Sequence, residues 1–145
     1  MTRLAELSAE GATQPVSGAQ LADFDGLSHA SVDDILRLLR NHGLVRSHRG
    51  GQGGWALARP ANTITVAQVI RAVEGPLASV RGVRPHDLPA DGEREPFVSL
   101  WIAVRASLRS VLEAVTIAHL ASGQLPKRIA TLAAKPDAWE AHGTT

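Results

Sequence analysis

The stretch Arg49-Gly50-Gly51-Gln52-Gly53-Gly54-Trp55 lies between two short apolar runs, Gly43-Leu44-Val45 before it and Ala56-Leu57 after it. Glycines at the tip let two short strands fold into a flexible hairpin at little steric cost. Two helix-length segments stand directly ahead. Ser17 is placed to cap the first, with Leu21 and Phe24 inward and Val16 as a staple. Asp25-Gly26 turns the chain, and Leu27 is expected to fill the angle between the helices. Ser28 caps the second segment, which runs to about Asn41 with Val32, Ile35, Leu36 and Leu39 at helical spacing; His42-Gly43 stops it. Helix, turn, helix and basic hairpin make a winged helix-turn-helix, whose second helix is the candidate recognition helix for duplex DNA.

Charge supports that placement. The net charge of +1 averages over unlike regions. From Ile35 to Thr63 no acidic residue occurs, while Arg37, Arg40, Arg46, Arg49 and Arg59 fall there with His42 and His48. Asp23, Asp25, Asp33 and Asp34 come before it. A focused basic patch is the footprint of a phosphate-binding face; a solvated arginine-rich surface is the plainer reading.

Composition bounds the rest. The 145 residues are 44% hydrophobic but only 3% aromatic, so the core must be built from Leu, Val, Ala and Ile, which suits helix-on-helix packing. There is no cysteine, which excludes disulfides, thiolate metal sites and a cysteine nucleophile and fits a cytoplasmic location. Glu6 and Glu10 interrupt any leader-like apolar stretch, and no run approaches membrane-spanning length.

Outside the hairpin, Thr2 to Glu10 predicts a short helix with Leu4, Leu7 and Ala5 inward, ended by the glycine and proline of residues 11–15. Thr63 or Thr65 caps a helix from Val66 to Glu74, with Val66, Val69, Ile70 and Val73 inward, closed by Gly75-Pro76. Residues 77–96 carry three further prolines and read as a long loop. A long helix follows from Phe97 to about Ala114. Phe97, Trp101, Val104, Leu108, Val111 and Val115 form a heptad-like seam that needs a partner beyond its own small domain. Thr116 caps a short final helix. Residues 123–145 read as a loosely ordered tail, to which Ile129, Leu132 and Trp139 could add a small helix.

Three stretches together resemble the IscR/NsrR/CymR family of bacterial winged helix-turn-helix transcriptional regulators, the Rrf-two type. They are Leu38 to Ser47, Arg49 to Pro60, and above all Ile64-Thr65-Val66-Ala67-Gln68-Val69-Ile70-Arg71-Ala72-Val73-Glu74-Gly75-Pro76. Leu100-Trp101 and Val115-Thr116-Ile117-Ala118-His119-Leu120 fit the same pattern, so the resemblance covers about Val16 to Leu120. It implies a mainly α fold with a small β-hairpin: a winged helix-turn-helix domain over 1–76, the loop 77–96, a dimerisation helix and short final helix over 97–122, and the tail. It also implies a homodimer on a palindromic operator, with Phe97, Trp101, Val104, Leu108, Val111 and Val115 in the dimer contact.

The chain departs from that family in three places. Many members hold an iron–sulfur cluster through cysteines in the loop before the long helix, and here that loop has none. His86 and Glu95 could ligate something but read as solvated; no metal or cofactor is expected. The first helix is short, through a late start or a lost segment. The candidate recognition helix begins Ser28-His29-Ala30-Ser31, with Ser31 where relatives often place a tyrosine.

DNA contacts are expected from Ser28, His29 and Ser31 at the helix entry, from Arg46, His48 and Arg49, and from Gly50, Gly51 and Gln52 at the wing. Arg49 suits a phosphate pair or a narrow minor groove. Trp55 packs under the wing. Asp33 and Asp34 accept from cytosine amino groups, face away, or are ordinary helix-surface charges. No nucleophile motif, phosphate loop or paired histidines point to an enzyme. The remaining inputs are a small-molecule effector, with Trp101 a candidate for its pocket or for plain core packing, and a partner protein. The alternatives are a winged-helix protein-interaction module or a small-ligand sensor with weak DNA binding.

Overall fold

The computed structural model describes residues 1–9, 15–50, 53–79, 82–88 and 95–140. Seven helices and a two-stranded hairpin follow in the order α1 (Thr2–Ala9), α2 (Gly18–Asp25), α3 (His29–Asn41), β1 (Val45–His48), β2 (Gly54–Leu57), α4 (Val66–Val73), α5 (Glu95–Leu112), α6 (Ile117–Ser122) and α7 (Lys127–Ala133). The chain is thus mainly α with one antiparallel hairpin, Val45 opposite Leu57 and His48 opposite Gly54.

Local chemistry sets the helix starts. Ser17, Thr65 and Thr116 each accept from the backbone amide three residues on, and Gln20, Gln68 and His119 reach back to the cap amide. These reciprocal boxes satisfy two amides that a helix start leaves without an internal partner. Gly26 and Gly123 end α2 and α6 in the left-handed conformation.

The core gathers Leu4, Ala5, Val16, Leu21, Ala22, Val32, Leu36, Leu39, Leu44, Val45, Ile64, Ala72 and Ile117. Its apolar side chains come from α1, the helix-turn-helix, the wing, α4 and α6. The segment after α5 therefore returns to the helix-turn-helix half rather than standing apart. A backbone clasp fixes the return: the Val66 amide donates to the Val115 carbonyl at 2.8 Å, and the Ile117 amide donates to the Ile64 carbonyl at 2.9 Å.

Several expectations are corrected. Leu27 does not fill the angle between α2 and α3; it is 44% exposed. It stands at the lip of an apolar cavity lined also by Met1, Leu4, Leu21 and Leu36, because α1 supplies the side chains that close this corner. In α4 the fully buried residues are Ala67 and Ala72, while Val66, Val69, Ile70 and Val73 are half-buried. Small side chains let that helix sit close to its neighbours, so its apolar stripe is shared between two contacts. The long helix begins at Glu95, two residues inside the expected loop, since Pro96 fits the first turn of a helix. In the tail, where Ile129, Leu132 and Trp139 could add a small helix, α7 holds Ile129 and Leu132 and buries Ile129, and Arg128 donates to the Ser110 hydroxyl and carbonyl of α5. Trp139 stays exposed, its indole N–H donating to the Ala133 carbonyl. The side chain of Phe24 lies outside the described residues.

Candidate nucleic-acid interface

At the start of α3 the Ser28 hydroxyl accepts from the Ser31 amide at 3.1 Å, and the two serine hydroxyls lie 2.8 Å apart. One hydroxyl proton of the pair remains for an outside acceptor. His29, Ala30 and Ser31 are exposed, and His29 makes no side-chain hydrogen bond among the described residues. The exposed first turn of this 13-residue helix carries the positive end of its dipole.

The hairpin follows directly. Val45 anchors β1 in the core, and Arg46, Ser47 and His48 after it are exposed. Arg46 and His48 share a face by strand alternation, and Arg49 continues from it. Among the described residues no carboxylate pairs with Arg46, His48 or Arg49, so the two arginine charges are uncompensated. Gly51 and Gln52, expected at the wing tip, lie outside the described residues. Arg37 is different: it donates to Asp34 at 2.8 Å. The Asp33 carboxylate lies against Gly18 in the first turn of α2, where a negative charge is favoured. Both acidic residues thus have local work on the helix surface.

The glycines of the hairpin carry a role that strand and turn counting missed. The Val16 amide donates to the Trp55 carbonyl at 2.9 Å, and the Trp55 amide donates back to the Val16 carbonyl at 2.8 Å. Val16 is therefore a one-residue third strand, not only a staple. A β-carbon on Gly54 would stand 2.6 Å from the Val16 carbonyl oxygen, and one on Gly53 would stand 2.9 Å from that of His48. These two glycines answer to the protein's own backbone. Gly50, at φ +132°, meets nothing and is open to the outside. Trp55 is half-buried and packs on the core beneath the wing, as its position suggested.

The long helix leaves most of its apolar side chains outside the protomer core. Phe97 is 50% exposed, Leu100 58% and Leu108 41%, and Val104 is also exposed. Trp101 and Val111 are half-buried, with the Trp101 ring edge-on to Phe97 at 6.2 Å. All six lie on one face at helical spacing. Val115, expected on the same seam, does not join it: α5 ends at Leu112, and Val115 is 5% exposed inside the protomer.

An ion-pair strap ties α4 to the end of α5. Glu113 accepts from Arg71 at 2.6 Å and from Arg109 at 3.0 Å. These hydrogen bonds, Arg71 first and then Arg109, hold its carboxyl below the ordinary glutamate value against a small opposing effect of desolvation. A carboxylate with a depressed folded-state pKa stabilises the fold fully above its unfolded value and loses that contribution as pH falls through the folded value. Glu113→Gln should therefore narrow the stability difference between neutral solution and about pH 3, below the ordinary glutamate value of about 4.3. Thermal unfolding of both proteins across that range checks it, and identical pH profiles would contradict it. His86, which the sequence leaves solvated, has its Nδ1 atom 2.6 Å from the Arg105 guanidinium.

Comparison with known proteins gives one consistent answer. A family model described as Rrf2, iron-dependent transcriptional regulator, matches residues 1–123. A Mycobacterium tuberculosis protein named as an HTH-type transcriptional regulator is 44% identical over 130 residues, covering 90% of this chain and 81% of its own. The structure of CymR, described as the global cysteine regulator of B. subtilis, superposes with a TM-score of 0.66 at 32% identity, covering 85% of this chain and 90% of that one. That of T. potens IscR gives 0.61 at 31% identity over 98% of this chain and 84% of that one.

The residues present do not fit a cysteine-held iron–sulfur group. None of the 145 is cysteine, and among the described residues no three His, Asp or Glu side chains gather at metal-binding distance. What does fit is the output half: capped helix pair, wing anchored by Val16, and long helix. This chain belongs to the Rrf2 family of winged helix-turn-helix, DNA-binding transcriptional regulators.

Proposed function

We propose that this protein is a sequence-specific regulator that binds a palindromic operator in the cytoplasm as a homodimer, without a cysteine-ligated cluster and without catalytic activity. The observation that carries the DNA contact is the group Arg46, His48 and Arg49, with no carboxylate paired to it among the described residues, placed immediately after α3 with its exposed first turn. In this reading Ser28, His29 and Ser31 enter the major groove. Arg46 and His48 bind phosphate, Arg49 anchors the wing, and Gly50, Gly51 and Gln52 follow the sugar-phosphate ribbon. The apolar stripe of α5, Phe97, Trp101, Val104, Leu108 and Val111, supports pairing with a two-fold mate.

Mobility-shift and anisotropy titrations with the gene's own upstream DNA test it. Retardation of one upstream fragment, sensitive to salt and resistant to competitor DNA, is the expected result. Absence of specific binding across promoters would favour a protein-interaction module instead. Arg49→Ala should weaken operator binding by about 10-fold or more, the worth of a charge-assisted hydrogen bond. It should also flatten the salt dependence by about one counterion per wing. An unchanged salt slope would remove Arg49 from the interface.

A further inference from the structure

A second basic site lies away from the wing. Arg71, Gly75, Pro76, Leu77, Arg84 and Arg105 line a cleft of about 320 Å³ where the end of α4, the loop after it and the middle of α5 meet. That volume suits a small metabolite. Among the described residues its charged lining is arginine.

The three guanidinium groups differ in what already occupies them. Arg71 is tied to Glu113 at 2.6 Å. Arg105 donates to His86 Nδ1 at 2.6 Å. Arginine can only donate, so that imidazole nitrogen accepts, and its other nitrogen faces Asp87 at 3.5 Å. That acceptor is a ring nitrogen and not a carboxylate, so among the described residues no acidic side chain pairs with Arg105. Arg84 makes no side-chain hydrogen bond or ion pair among the described residues. The carboxylates closest in these networks, Glu113 and Asp87, are engaged with Arg71 and Arg109 and with His86 respectively. Two arginine charges thus open onto one cleft, and among the described residues no carboxylate pairs with either. Planar guanidinium forks recognise carboxylate and phosphate oxygens in pairs, and apolar Pro76 and Leu77 offer contact to a short carbon skeleton.

We propose that this cleft binds a small organic anion bearing carboxylate or phosphate groups, held by Arg84 and Arg105 with Arg71 at its edge. The site shares no residue with the proposed DNA face and does not depend on the DNA-binding reading.

Calorimetric titration of the full chain, without DNA, tests it using inorganic phosphate, succinate and glycerol 3-phosphate, with sodium chloride as the control. At least one probe should bind saturably, one per chain, with a Kd below about 1 mM. The phosphate-bearing and carboxylate probes tell the two chemistries apart. Arg84→Ala should weaken that binding by about 10-fold or more, and Arg105→Gln likewise, as expected for a lost charge-assisted pair. Arg40→Ala, an exposed change on α3, should leave it unaltered. Because Arg84 is exposed and has no described partner to lose, its variant remains folded and comparable. Binding that survives Arg84→Ala, or saturation by none of the three probes beyond the chloride control, would overturn the proposal.

Discussion

Leu108→Asp is expected to yield a monomer that no longer holds its operator. Leu108 lies on α5, 41% exposed, in line with Phe97, Leu100 and Val104, and none of the four belongs to the protomer core. The substitution therefore leaves the fold of one protomer untouched. At a two-fold contact it introduces the carboxylate twice, and burial of each unpaired charge costs several kcal/mol. Loss of the second half-site then removes the gain from linking two binding modules, about 100-fold to 10,000-fold in operator affinity. Sedimentation equilibrium reads the mass and anisotropy reads the affinity. Leu100→Glu, about two turns earlier on the same face, should behave alike. A dimer that persists in both variants would place the two-fold contact elsewhere.

Gly54→Ala is expected to lower stability by about 2–3 kcal/mol, at the upper end of what forced overpacking costs. The added methyl would stand 2.6 Å from the Val16 carbonyl oxygen and 3.0 Å from the Pro15 carbonyl carbon, both of them backbone atoms. It can be accommodated only by parting Val16 from Trp55, which breaks two hydrogen bonds and lifts the wing from the base of α2. For a chain of this size the melting temperature should fall by about 10 °C. Gly50→Ala, with nothing near its added carbon, makes a useful contrast: any penalty there comes from its φ of +132° alone. Equal melting temperatures for Gly54→Ala and the parent would refute the close approach.

The contrast between Ser17 and Val16 shows what was legible in the chain. Ser17, Ser28, Thr65 and Thr116 announce helix starts because a cap acts on amides two or three residues away. The pairing of Val16 with Trp55 depends on chain brought together across two helices, and no local pattern encodes it. Val115 was misplaced for a related reason. It continues the α5 spacing in sequence, but the helix stops at Leu112 and the clasp with Val66 turns the residue inward. Leu27 was judged by the angle between α2 and α3 without knowing that α1 closes it. The basic wing stood out because its arginines are consecutive with the glycines. The cleft arginines did not, since Arg71, Arg84 and Arg105 are spread over three separate elements.

The clasp between Ile64–Val66 and Val115–Ile117 means that α4, the loop and α5 form a closed excursion whose two ends meet at one point. Topologically that stretch is a cassette set into the helix-turn-helix and wing, with its base sealed by two backbone hydrogen bonds. Lengthening such a loop costs little, about 0.6 kcal/mol for each doubling. The stretch between the two ends can thus vary in size and chemistry while the seal keeps the helix-turn-helix and wing in their places.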